Sequence, residues 1–303
     1  MISKKKVLIA GGGPAGNLFC ILFSRLGWEI TQARSDWTPP QRKHVHYLKK
    51  RILDISKNID EHLFKLVLSS VENNYENLQD GSPIFWLNQS KLVNGLEYLA
   101  CKISSEANFS IDDLTNEIAD SYDIMIDATG SRMKLARQCE KIGIGHLVVD
   151  DTGNFNQYTT NIFYHKNAHG WVWIDKIEDA IVYGEAIDGV LKITTDAIDL
   201  NPDKLPTFIH KFINSNPVET YRCAAPKIRR SNWQGNSLVR VGDALVQLPA
   251  QTGFGFTSIF EQGLICSSLA PDKMEYALND FADKLWMGTV TQFAMKQHFN
   301  FNL

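Results

Sequence analysis

Two short glycine-containing stretches, near opposite ends of the chain, carry residue types suited to holding a phosphate-bearing ligand. The first is Val7-Leu8-Ile9-Ala10-Gly11-Gly12-Gly13-Pro14-Ala15-Gly16, an apolar run that enters G-x-G-x-x-G. A strand ending this way can turn tightly at Gly11, bring its backbone up to a pyrophosphate at Gly13, and seat a helix against the strand at Gly16. Pro14 and Ala15 then form the first helical turn, whose amide N–H groups and positive end attract phosphate. The second stretch is Leu238-Val239-Arg240-Val241-Gly242-Asp243-Ala244, followed by Pro249 and by Gly253-Phe254-Gly255-Phe256. A plain nicotinamide-binding domain has no role for this second stretch. The two together point to FAD.

The elements that must position these turns are legible in the hydrophobic pattern. A helix from about Pro14 to Leu26 buries Leu18, Phe19, Leu22, Phe23 and Leu26 and is closed by Gly27; a strand from Glu29 to Ala33 completes a βαβ unit. Such units carry an acid for the ribose roughly 20 residues after the first glycine, and here that place falls at Arg34, or at Ala33 if one residue is missing. A cation there either pairs a 2′-phosphate, as in NADP, or lies over the adenine face, and Asp36 is close enough to swing in. Beyond a proline-marked loop the spacing predicts helices through Leu48, Ile52 and Ile55 and over Ile59 to Leu68, a strand over Ile84 to Leu87, and an amphipathic helix over Gln89 to Ile103. Tyr122 to Gly130 reads as a buried parallel strand ending in a turn.

From Gly143 to Thr195 the period shortens to that of β-structure, with strands at Trp171 to Ile174, Ala180 to Tyr183 and Val190 to Thr195, the last preceded by an Asp188-Gly189 hairpin turn. A helix is expected around Leu205 to Ile213, and two more at Met274 to Phe281 and Leu285 to Lys296. Residues two apart in a strand share a face, so Trp171 and Trp173 either line a pocket or pack the sheet. His165 and His169 flank that strand and are the nearest candidate acid/base groups.

Composition narrows the class. A chain of 303 residues, 44% apolar and with a formal net charge of −3, can bury a large core and has no basic stripe for nucleic acid. Lys4-Lys5-Lys6 before an apolar run imitates a secretory leader, but the glycine turn interrupts it and no cleavage site follows. No stretch has transmembrane length without a charge or turn signal. The five cysteines are scattered with no C-x-x-C and no zinc spacing, so no metal site is expected, and buried thiols in a cytoplasmic protein are.

With these residues in order, the chain resembles the p-hydroxybenzoate hydroxylase superfamily of FAD-dependent monooxygenases, which also contains flavin-dependent halogenases and geranylgeranyl reductases. The resemblance covers most of the chain. Gly11 to Gly16 matches the first fingerprint; Asp123 to Gly130 with Arg137 matches the second, D-x-x-x-x-A-D-G-x-x-S-x-x-R, with Thr129 replacing an Asp and the Ser absent; Gly242-Asp243, continuing to Glu261, matches the third, and Arg229 and Trp233 fit the segment before it. Gln41 to Leu48 resembles Q-x-x-H-x-H-x-L, which places Lys43 or His44 beside flavin or pyrophosphate, or else at a solvated helix start. Gln89 stands where relatives carry a cofactor-contacting arginine. Trp171-x-Trp173 resembles the W-x-W-x-I-P of halogenases, without its Ile-Pro and without a placeable catalytic lysine.

The resemblance implies an α/β fold: a glutathione-reductase-type Rossmann FAD-binding domain (1–66, 90–142 and 226–275), an inserted antiparallel sheet for substrate (67–89 and 143–225), and C-terminal helices (276–303). Asp243 would bind ribityl hydroxyls, Thr129 and Gly130 would lie under the nucleotide, the glycines after Pro249 would let the backbone reach the isoalloxazine, and a helix from about Thr257 would point its positive end at the flavin. The expected activity is hydroxylation or epoxidation of an aromatic or unsaturated small molecule through a flavin C4a-hydroperoxide, with O2 as oxidant. Electrons would come from NAD(P)H or a partner flavin reductase. Halogenation, oxidase or reductase chemistry, and maturation of a partner protein are the alternatives.

Overall fold

The computed structural model describes residues 4–34, 45–47, 51–76, 83–151, 157–169, 171–177, 180–187, 189–196, 201–213, 216–223, 227–233, 238–248 and 254–295. The chain opens with β1 (Lys6–Ala10), α1 (Pro14–Arg25), β2 (Glu29–Ala33), β3 (Val45–Tyr47), α2 (Arg51–Ile59) and α3 (Glu61–Ser69). It continues through β4 (Val71–Glu76), β5 (Pro83–Asn88), α4 (Gln89–Ile103), β6 (Ser105–Glu106), α5 (Asn116–Asp120), β7 (Ile124–Asp127) and α6 (Lys134–Lys141). Then come β8 (Gly145–Asp151), β9 (Tyr158–Tyr164), β10 (Trp171–Ile177), β11 (Ala180–Ile187), β12 (Val190–Thr195), α7 (Thr207–His210), β13 (Glu219–Cys223) and β14 (Lys227–Trp233). β15 (Leu238–Arg240), β16 (Val246–Gln247), α8 (Phe254–Ser267) and α9 (Pro271–Met295) complete it.

Five strands form a parallel sheet in the order β15-β7-β1-β2-β6. Its central strands are continuous apolar runs because both faces are covered. Val7, Ile9, Ile124 and Ile126 join one core with α1, α4, α8 and α9, whereas Leu8, Ala10, Met125 and Leu238 join a second core under α6 through Leu135 and Cys139. Helix α1 starts at Pro14 with Gly13 as its cap, buries every residue from Ala15 to Phe23, and is released at Gly27, whose φ of +79° suits glycine.

A second five-stranded sheet, β10-β11-β12-β9-β13, is antiparallel throughout. One face is apolar: Phe163, Trp173, Val182, Leu191 and Ile193 pack on Leu205, Ile209 and Phe212 around α7. Two three-stranded sheets, β16-β14-β8 and β3-β5-β4, complete the β-structure of the described residues, so the expected strand at Ile84 to Leu87 is the middle of a sheet whose partners the sequence did not mark.

The two expected C-terminal helices are one. Met274, Leu278, Ala282 and Trp286 recur every fourth residue on the buried side of α9, and the polar interruption is outward-facing, with Lys284 paired to Asp280 at 2.7 Å. Packing carries the helix through it. Among the described residues no helix is long and apolar enough to cross a membrane. Burial pushes the thiols of Cys20, Cys139 and Cys266 up to about 12, as expected of small buried hydrophobes, while Cys101 is exposed.

Candidate nucleotide site and the turns that build it

Because β1, β7 and β15 run parallel, the turns that follow them leave the sheet on one edge, where ligands of open α/β sheets bind. Gly11 has φ +116°, and a Cβ there would collide with the backbone carbonyl of Ala128 just after β7. Its N–H donates to the Ala33 carbonyl at 2.8 Å. Gly16 meets the Gly11 carbonyl so closely that only glycine fits. The late turn closes on the early one: Gly242 has φ +59°, and a Cβ on it would stand 3.0 Å from the Cβ of Ala15. The Val241 N–H also donates to the Asp127 carbonyl at 2.9 Å. The stretches separated by most of the sequence are neighbours in space.

Gly13 differs from its companions. Among the described residues, a Cβ there would meet no atom within 4 Å, so the space over it is open to them. The turn beneath is fixed by two buried amides that the sequence reading missed. Asn17 donates to the Gly12 carbonyl at 2.9 Å, and Gln32 donates to the Gly11 carbonyl and to Asn17 Oδ1, each at 3.0 Å. With these carbonyls held inward, the N–H side of the turn is left for an anion. The available signal was a lone Asn in the apolar stripe of α1 and a Gln inside β2.

Arg34 lies across Gly12, 3.5 Å from a Cβ built there. Its guanidinium donates to Gln32 Oε1 at 2.8 and 3.1 Å and reaches Glu97 of α4 at 3.4 Å. The cation is thus engaged with a neutral amide and a half-exposed carboxylate, and Glu97 brings an acid to the end of the sheet where β2 itself supplies none.

Asp127, at the end of β7, is fully buried and accepts from the Thr129 N–H (2.9 Å), the Thr129 hydroxyl (2.6 Å) and the Ala136 N–H (2.9 Å). Burial raises its pKa, against the pull of these bonds and of Arg240. Thr129 also accepts from the Lys134 N–H at 2.7 Å, so its hydroxyl serves the turn into α6; a Cβ on Gly130, at φ +66°, would meet none of the described residues within 4 Å. Asp243, in the same turn as Gly242, is exposed.

Next to Gly242, α8 presents two buried polar atoms with no partner among the described residues, Thr257 Oγ1 and Gln262 Nε2. Gln262 Oε1 accepts from the Gly242 N–H at 2.7 Å, which ties the helix to the turn. Gly255 is exposed and Phe256 half-buried in the first turn of α8; Glu261 pairs with Arg51 of α2 at 2.9 Å. Arg240, fully buried, donates to Glu275 at 3.1 Å and Asn279 at 3.0 Å and so fastens α9 to β15.

The remaining expected residues separate. Trp173 is buried with its ring edge-on to Phe208 at 6.1 Å, in the core around α7. His165 stacks edge-on against Phe212 at 5.2 Å on the same side, and His169 is exposed. Gln89 is the first residue of α4. Lys43, His44, Pro249, Gly253 and the side chains of Trp171, Arg229 and Trp233 lie outside the described residues.

These turns fit FAD: an open cradle over Gly13 at a helix N-terminus, a second turn leaning on it, and orphaned polar atoms on the adjoining helix. No family model and no curated protein sequence matches the chain. Solved structures do. p-Nitrophenol 4-monooxygenase PnpA from Pseudomonas putida DLL-E4 superposes with a TM-score of 0.63 at 12% identity, over 100% of this chain and 91% of that one. Flavin-dependent brominase Bmp2 gives 0.64 at 13%, over 98% and 90%. Peptidyl tryptophan dihydroxylase QhpG, essential for tryptophylquinone cofactor biogenesis, gives 0.63 at 14%, over 96% and 73%. The chain has the fold of flavin-dependent monooxygenases and halogenases. The resemblance read from the motifs is therefore matched in three dimensions, with a parallel Rossmann-like sheet and a separate antiparallel sheet. In this fold the dinucleotide-type turn and the Gly242 turn lie on a single edge of the parallel sheet.

Proposed function

We propose that the protein is an FAD-dependent monooxygenase acting on an aromatic or unsaturated small molecule. The observation that carries this is the contact of the Gly242 turn with Ala15 beside the open cradle of Gly13. A nicotinamide site would need the first turn alone. When bound, FAD would supply the activation of O2 and the delivery of one oxygen atom to an electron-rich carbon.

The chain's own contribution is to bind, orient and shield. The N–H groups at Gly13, Pro14-following Ala15 and Gly16 would hold the pyrophosphate, helped by the positive end of α1. Asp243 would accept from ribityl hydroxyls, and Glu97, beside Arg34, would be the acid nearest the adenosine ribose. Thr257 and Gln262 would give their unpartnered polar atoms to the flavin side, and the start of α8 would favour negative charge on the reduced ring. Electrons would come from NAD(P)H or a partner reductase, and the protein would work in the cytoplasm. A protein-bound substrate is the second reading, favoured by the likeness to a peptidyl tryptophan dihydroxylase.

The test is the absorption spectrum of the purified chain and its titration with FAD, followed by mass spectrometry of products formed under oxygen. A flavin band and a product heavier by one oxygen atom support the proposal. A folded chain that takes up no flavin overturns it.

A further inference from the structure

The end of β2 departs from what a dinucleotide-binding βαβ unit needs there. In such units an acid at the end of the second strand accepts a hydrogen bond from the ribose 2′-hydroxyl, or a nearby arginine accommodates a 2′-phosphate. Here the strand ends in Thr31-Gln32-Ala33 and Arg34 follows, so β2 offers no carboxylate and a cation stands where a 2′-phosphate would arrive. Ala33 is 2% exposed and belongs to the core under α6. Gln32 is fully buried, with its amide nitrogen spent on the Gly11 carbonyl and on Asn17. Neither side chain can serve a ribose.

A carboxylate reaches this place from another element. Helix α4 packs along α1, and Glu97 in its middle extends Oε1 to within 3.4 Å of Arg34 Nη1. The Glu97 side chain is 47% exposed, and its Oε2 has no bond among the described residues. The guanidinium is already committed: Nε and Nη2 both donate to Gln32 Oε1, at 3.1 and 2.8 Å, and Nη1 faces Glu97. The fork that would grip a phosphate is thus turned onto a neutral amide. Arg34 also lies across Gly12, which sets this ion pair at the mouth of the glycine turn. As a stability device the pair is weak, since ion pairs of this exposure contribute little in water.

We propose that Glu97 of α4 replaces the missing strand acid: it accepts a hydrogen bond from the adenosine 2′-hydroxyl of the bound dinucleotide and, by its charge, turns away a nucleotide that carries a 2′-phosphate. The proposal deepens the FAD reading above and takes the ligand's identity from it. It also decides between the roles that the sequence left to Arg34, which becomes a positioning residue for Glu97 rather than a phosphate clamp. An acid on a half-exposed helix face, unlike one on β2, can be removed without disturbing the sheet, and alanine suits a helix interior.

The test is calorimetric titration of the full chain, freed of flavin, with ADP, with 2′-deoxy-ADP and with ADP carrying a 2′-phosphate. ADP is expected to bind at least about fivefold more tightly than either of the others. Glu97→Ala should bring ADP and 2′-deoxy-ADP together and move the preference toward the 2′-phosphate, because Arg34 loses its competing carboxylate, while the urea midpoint stays near that of the unaltered chain. Glu97→Gln separates the hydrogen bond from the charge: it should keep part of the preference over 2′-deoxy-ADP and lose the rejection of the phosphate. A surface ion pair with no part in binding would leave the three affinities in the same ratio in both variants. That result, equal affinity for ADP and 2′-deoxy-ADP in the unaltered chain, or no binding of ADP at all, overturns the assignment. Flavin uptake is read separately from the absorption band. A chain that ranks the three nucleotides as expected yet takes up no flavin keeps the ribose assignment and loses the oxygenase reading.

Discussion

The two large sheets differ in what their surfaces offer. In the parallel sheet both faces are sealed by apolar cores, so nothing reaches a ligand from the side chains of β1 or β7; binding is left to backbone at the strand ends, where Gly11, Gly13 and Gly242 strip side chains away. In the antiparallel sheet one face is sealed against α7, and the other mixes the buried Tyr158 and Ile162 with hydrogen-bonded pairs, Tyr183 and Lys192 on Glu185 and Thr160 on Thr194. Backbone recognition suits a cofactor whose phosphates and sugars are constant.

If the first region works through missing side chains, adding them should break it in two distinguishable ways. Gly11→Val puts a β-branched residue at φ +116° and drives its Cβ into the Ala128 carbonyl, so the fold itself should suffer, by about 3 kcal/mol or more. Urea unfolding followed by circular dichroism checks this; a midpoint near that of the unaltered chain would mean that the turn is not as tight as described. Gly13→Val, two residues on, adds a side chain to open space at an ordinary backbone conformation, φ −77°. Stability should stay within about 0.5 kcal/mol, and flavin uptake should be lost. Flavin bound at full occupancy by Gly13→Val would remove the cradle from the site.

The sequence showed the first region better than the second, and the reason is physical. A turn that needs glycine at fixed places can be spelled in few ways, so Gly11 to Gly16 and Gly242-Asp243 stand out, and the apolar runs beside them declare a parallel sheet. The Gln89–Ile103 helix was equally plain because its cap and period agree. Buried polar groups give no such local sign. Asn17, Gln32, Gln262 and Arg240 are held by partners distant in sequence, and the Tyr183–Glu185–Lys192 cluster depends on the β11–β12 register. Trp173 and His165, which caught the eye by residue type, lie on the α7 side of the sheet.

A smaller effect sharpens the boundary between backbone and side-chain recognition. Thr257 is 1% exposed and its hydroxyl has no partner among the described residues, so Thr257→Val removes an unsatisfied group at nearly constant shape. The flavin-free chain should be equally stable or slightly more so, while FAD affinity should fall by about tenfold, the worth of one hydrogen bond in a buried site. Equal FAD affinity would assign Thr257 to packing and leave the α8 end to its backbone.

The smallest effect concerns Asp127, the one fully buried carboxyl among the described residues at the strand ends, and its sign follows from burial. Its pKa is raised in the folded protein, chiefly by desolvation, above the unfolded value of roughly 3.9. The folded state therefore binds this proton more tightly than the unfolded state does. Its favourable contribution is fully present below the unfolded pKa and is lost as pH rises through the folded one. Asp127→Asn cannot titrate, though it also gives up an acceptor for the Ala136 N–H. The stability of the unaltered chain relative to Asp127→Asn should consequently increase as pH is lowered from neutrality toward about 4, read from urea midpoints at each pH. A relative stability that falls over that window would mean that the bonds from Thr129 and Ala136 outweigh desolvation, and that Asp127 is held as a carboxylate whose charge reaches the turns above it.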